Sequence, residues 1–137
     1  MKIALNFWGN RSADFKIKTL KDVVVDRKSK YTVLWWSILS KTDADIFMKE
    51  LLKDSYYRKA THNTYAYRVE QENGSILESR SDDGETWAGN CILRELQREN
   101  IVNTIVVVTR YFWWIQLHAD RFKNVITATK IFLEEIK

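Results

Sequence analysis

The residues able to do chemistry fall into three groups. Asp82-Asp83-Gly84-Glu85 packs three carboxylates into four positions, a density that suits a divalent cation or a paired acid and base. The same acids stand just ahead of a helical stripe, where they equally suit capping and pairing with Arg110 or Arg68. Capping and ion pairing is the reading adopted, so no metal or cofactor is expected. His62, with Asn63 beside it and Ser81-Asp82 further on, has the makings of a hydrolytic triad, but no Gly-x-Ser-x-Gly motif supplies a nucleophile. His118 has no second ligand at metal spacing. Cys91 borders a helix stripe and reads as a small core residue.

The second group is basic: Lys16, Lys18, Lys21, Arg27, Lys28 and Lys30. The chain carries a net charge of +4, and its first 60 residues hold 13 Lys/Arg against 7 Asp/Glu. That asymmetry favours an acidic partner for the N-terminal half, nucleic acid included, with aromatic side chains as stacking surfaces. The third group closes a strand, where Arg110-Tyr111-Phe112 leads into Trp113-Trp114. Exposed tryptophans would anchor a protein partner, with Arg110, Tyr111, Asp82, Asp83 and Glu85 completing the docking surface. Folding of both tryptophans back onto the core stays open as the other reading.

These groups need a scaffold. Ile105-Val106-Val107-Val108 is an unbroken β-branched run, the mark of a mid-sheet strand buried on both faces. Tyr31 to Leu39 is a second strand, whose adjacent Trp35 and Trp36 must point to opposite faces. Phe15 to Val25 precedes it across the turn Asp26-Arg27-Lys28-Ser29. Thr61 to Val69 and Ile76 to Arg80 flank a second turn at Glu72-Asn73-Gly74-Ser75. Helical spacing recurs in Ala44, Phe47, Met48, Leu51 and Leu52, with Thr42 as the predicted N-cap. It returns in Gly89, Ile92, Leu93 and Leu96, and again from Phe122 to Ile136. Residues 1–14 read as an arm and 15–137 as one domain. The predicted class is α+β, a two-layer α/β sandwich whose mixed sheet carries helices on one face.

Apolar content of 45% and charged content of 29% are those of a globular domain without a membrane-spanning stretch. The start of the chain is apolar, but Asn6, Gly9, Asn10 and Arg11 interrupt it too early for a signal peptide. A single cysteine excludes an internal disulfide and fits a reducing compartment, so a cytoplasmic location is expected.

Several stretches together resemble the Impact family. They are Asp26-Arg27-Lys28-Ser29, the run from Ala60 to Arg68, Asp82 to Thr86 with Ala88-Gly89, and Val106 to Phe112. The resemblance runs from about residue 22 to the end, in order, and Asp120-Arg121-Phe122-Lys123 is similar to the eukaryotic branch. It implies a fold like the second domain of ribosomal protein S5 and no established catalytic activity. It also implies a role around translation. Eukaryotic Impact proteins restrain the amino-acid-starvation kinase that phosphorylates the initiation factor, by competing for its ribosome-associated activator, and family members also bind actin. The expectation is a non-enzymatic protein-interaction module of translational and stress control. RNA or ribosome binding through the basic group is the alternative.

Two departures from the family stand out. Only about 20 residues precede the resemblance, too few for the RWD domain that eukaryotic members usually carry. Trp113-Trp114 and His118 stand where the family has Gly-Gly and a further glycine. A left-handed tryptophan costs roughly 1–2 kcal/mol, so either the turn changes or packing offsets the strain. A backbone anion cradle is correspondingly disfavoured there.

Overall fold

The β-branched run at the heart of the sequence becomes β7 (Thr104–Tyr111), the middle strand of a five-stranded sheet. The computed structural model describes residues 2–3, 15–112 and 116–137. Trp113, Trp114 and most of the 1–14 arm therefore lie outside the described residues; of that arm, β1 (Lys2–Ile3) pairs with β2 (Phe15–Lys16). The chain continues through β3 (Lys18–Asp26), β4 (Ser29–Ser37), α1 (Lys41–Leu51), α2 (Ser55–Arg58), β5 (His62–Glu70) and β6 (Ile76–Ser81). It then forms α3 (Ala88–Arg98), β7 and α4 (Asp120–Glu135).

The large sheet has the order β3-β4-β7-β5-β6, and every neighbouring pair is antiparallel. The expected mixed sheet is thus corrected. Helices between strands do join parallel strands here, β4 to β5 through α1 and β6 to β7 through α3. Each of those parallel partners is separated by one inserted antiparallel strand, so no parallel ladder forms.

Helices on one face only is the second correction. Helices α3 and α4 cover one face, where Tyr31, Val33, Ala66, Val106 and Val108 meet Ile92, Leu96, Val125 and Phe132. The other face is also apolar: Leu34, Trp36, Tyr67, Ile105 and Val107 pack with Phe47 and Leu51 of α1 and Tyr57 of α2. A strand apolar on both sides needs cover on both, and the β7 run already carried that requirement. Trp35 and Trp36 divide as their alternation demands. Trp35 lies 5.1 Å from the Phe132 ring, and Trp36 stacks on Phe47 at 5.6 Å.

Local caps fix the helix positions. Helix α1 is capped by Ser40 rather than Thr42. Ser40 Oγ accepts the Asp43 N–H at 3.1 Å, and the Asp43 carboxylate accepts the Leu39 N–H at 2.8 Å. This reciprocal box satisfies two amides that a Thr42 cap would leave open. The Ser55-Tyr56-Tyr57 stretch forms its own turn, α2, because Asp54 accepts the Tyr56 N–H at 2.9 Å and Tyr57 is buried. Burial pushes the Tyr57 phenol up to about 12.

Candidate functional site

The end of β7 lies beside the acidic loop, and register places His62 of β5 opposite Arg110. Each loop carboxylate is already engaged. Asp82 accepts the N–H groups of Trp87 at 3.0 Å and Gly89 at 2.9 Å, satisfying the opening of α3. Asp83 crosses to β5, where its carboxylate accepts the Asn63 N–H at 2.7 Å, and its carbonyl lies 2.8 Å from His62 Nδ1. That carbonyl fixes a hydrogen on Nδ1 and turns Nε2 toward Glu85, 3.7 Å away.

Glu85 is the buried member, 3% exposed. One guanidinium nitrogen of Arg110 donates to both its oxygens, at 2.8 and 2.9 Å, and Arg121 Nε lies 3.8 Å away. Arg110, itself 5% exposed, sits against the rings of Tyr31 at 5.8 Å and Phe112 at 5.3 Å. A charge pair this deep carries a desolvation penalty that only good hydrogen-bond geometry offsets. Its work is to tie the acidic loop to the strand end. Among the described residues, no cluster of His, Cys, Asp and Glu has the arrangement to hold a metal ion.

Gly89 shows how closely the loop is fitted. A Cβ there would stand 2.9 Å from Asp82 Oδ1 and 3.1 Å from the Ser81 carbonyl. Gly89→Ala is therefore expected to displace the Asp82 cap and cost about 1–3 kcal/mol in thermal denaturation. An unchanged melting curve would mean that the loop yields freely.

The opposite side of the strand end carries the aromatic and basic groups. Tyr111 packs against Tyr56 with ring centres 4.7 Å apart, and its hydroxyl donates to the Tyr56 carbonyl. Lys21 Nζ lies 4.5 Å over the Tyr56 ring. Together with Lys28 and Lys30 these residues line a cleft of about 310 Å³.

The groups expected from sequence therefore separate. Asp82, Asp83, Glu85 and Arg110 come together, with Glu85 and Arg110 beneath the surface rather than on it. Arg68 does not join them; it pairs with Glu78 at 2.8 Å and donates to the Ile101 carbonyl. Of the basic set, Lys21, Lys28 and Lys30 converge with Tyr111. Arg27 turns away to Asp26 and Asp120, and Lys18 is exposed at the start of β3. The side chain of Lys16 lies outside the described residues. Cys91 is half-buried and its thiol is pushed up by burial, as suits a packing residue.

Three participants escaped sequence reasoning. Arg121 reaches Glu85 from α4, and only its place in the Asp120 to Lys123 motif hinted at a role. Tyr56, in the short α2, carries no local signal for its contact with Tyr111. Trp87 is 61% exposed and left-handed at φ 72°, with no local signal for either. His118 has a left-handed backbone at φ 48°, a region histidine tolerates better than branched residues do.

Comparison with known proteins follows the same geometry. Residues 27–133 match the family model of the Impact N-terminal domain. The chain is 34% identical over 110 residues to the Protein IMPACT homolog of Dictyostelium discoideum, covering 80% of this chain and 32% of that protein. It is 31% identical over 113 residues to Protein IMPACT of Homo sapiens, covering 82% and 35%. The chain thus spans about a third of the length of these relatives. The structure of the two-domain translational regulator Yih1 superimposes with a TM-score of 0.58 at 29% identity, covering 84% of this chain and 45% of that one. A crystal structure of a hypothetical protein superimposes at 0.74 with 21% identity, covering 87% and 57%, a likeness of fold alone. The family match extends over residues 27–133 and so includes the strands, loop and helices that build the Glu85–Arg110 corner. The chain belongs to the Impact N-terminal domain family.

Proposed function

We propose that this chain is a non-catalytic protein-interaction module of translational control, which restrains the amino-acid-starvation kinase by occupying its ribosome-associated activator in the cytoplasm. The observation that carries this reading is the likeness to Yih1, a translational regulator, over 84% of the chain. A binding role rather than a chemical one is supported by the use made of the acidic loop. Asp82 and Asp83 accept backbone N–H groups, and Glu85 is neutralised by Arg110. Each of these carboxylates thus serves the protein's own backbone or its arginine.

In this reading the Glu85–Arg110 pair ties the acidic loop to the end of β7, and the chain continues into Trp113 and Trp114. Those two tryptophans, with Tyr111, are the proposed contact to the partner. Raising the level of this chain in amino-acid-starved cells is expected to lower phosphorylation of the initiation factor several-fold. Undiminished phosphorylation at a confirmed level of folded protein would contradict the proposal.

A further inference from the structure

We propose that the cleft between the β3–β4 hairpin and the end of β7 binds one nucleotide unit, its phosphate held by Lys21, Lys28 and Lys30 and its base set against Tyr111 and Phe112. This site does not rest on the activator-binding reading and can stand or fall separately.

The chemistry of the lining points to that ligand. Three lysines face one carboxylate, Asp22, so the cleft is net cationic and selects an anion. Tyr56, Tyr111 and Phe112 supply aromatic walls, and lysines beside rings are the combination that holds unpaired nucleotides. Asp22 adds an acceptor. It is among the residues that line the cleft, beside Lys21. The volume, about 310 Å³, sits at the small end of ligand sites and fits a single unit rather than a folded peptide.

The backbone around the cleft is also unusual. Register slips between Leu20 and Val24, and the bulge holds Asp22 at φ 53° with its N–H on Thr32 Oγ1. A bulge of this kind re-aims side chains, here Lys21 and Asp22, toward the cleft they line. The hairpin turn then places Arg27 at φ 47° and Lys28 at φ 72°, positions where Asn-Gly is favoured. Two long side chains, Arg27 and Lys28, in consecutive left-handed positions break the local rule, and such breaks concentrate at binding sites.

An unpaired nucleotide of single-stranded RNA and a free mononucleotide share this chemistry, and the test separates them. Fluorescence anisotropy of a labelled ten-nucleotide adenine RNA, calorimetry with adenosine 5′-monophosphate and competition by polyglutamate are run on the purified chain at low salt. Lys21→Gln with Lys30→Gln, both exposed side chains, is expected to weaken binding by about tenfold or more and to flatten the logarithmic salt dependence by roughly 0.7 per lysine for a single strand. Lys130→Gln on α4 is the control and should change nothing. Sensitivity confined to the RNA assigns the site to a strand, and sensitivity for both ligands assigns it to the nucleotide itself; either supports the proposal. Absence of binding by both, binding indifferent to the lysine pair in variants of unchanged melting temperature, or polyglutamate competing as well as unlabelled RNA would overturn it.

Discussion

Glu85→Ala is expected to lower the melting temperature by about 10–20 °C, the equivalent of about 3–5 kcal/mol for a chain of this size. The reason is not the loss of one favourable contact. Arg110 stays 5% exposed against Tyr31 and Phe112, and the substitution leaves its charge buried without the carboxylate that neutralises it. Its Nε is already without a partner among the described residues, so the guanidinium has little to fall back on. Glu85→Gln should cost less, since the amide oxygen still accepts. Combining Glu85→Ala with Arg110→Met should cost less than the sum of the single changes, because no buried charge is then orphaned. A drop of less than about 3 °C for Glu85→Ala would show that the corner admits water and that the pair does not hold it together.

Trp36→Ala is expected to be of comparable size, about 3–5 kcal/mol, for a different reason. Trp36 is 2% exposed and stacks on Phe47 at 5.6 Å, which makes it the principal side chain seating α1 on the second face of the sheet. Its removal should leave a cavity between β4 and α1, while the α3–α4 core on the other face keeps its own contacts. Hydrogen exchange therefore provides a finer check than the melting temperature alone. Amides of α1 should lose protection first, and those of α3 and α4 should follow only with global unfolding. Equal loss on both faces would mean that the two cores behave as one.

The sequence was most legible where one physical requirement dominated. The run Ile105 to Val108 demanded a central strand, alternation separated Trp35 from Trp36, and the stripe from Gly89 to Leu96 demanded a buried helix face. Strand order was less legible. The insertion of β7 between β4 and β5 depends on long-range pairing, and no local pattern distinguishes it from a parallel crossover. The α1 cap lies two residues earlier because Ser40 and Thr42 are both competent, and the Leu39 N–H that donates to the Asp43 carboxylate decides between them.

At the site, the acidic loop was correctly read as capping and ion pairing, but the allocation was not foreseeable. Asp82 serves the helix, while the turn at Gly84, φ 86°, lets Asp83 reach Asn63. The convergence of Lys21, Lys28 and Lys30 with Tyr111 was hidden for a similar reason. It requires the β4–β7 register, which sets Lys30 opposite Tyr111, and the bulge at Asp22, neither of which composition reveals.

The direct test of the interaction reading is titration of the purified chain with the purified ribosome-associated kinase activator, comparing it with a variant carrying Trp113→Ala and Trp114→Ala. The account predicts saturable binding by the unaltered chain and its loss in the variant, with equal melting temperatures for the two. No binding by the folded, unaltered chain would contradict it.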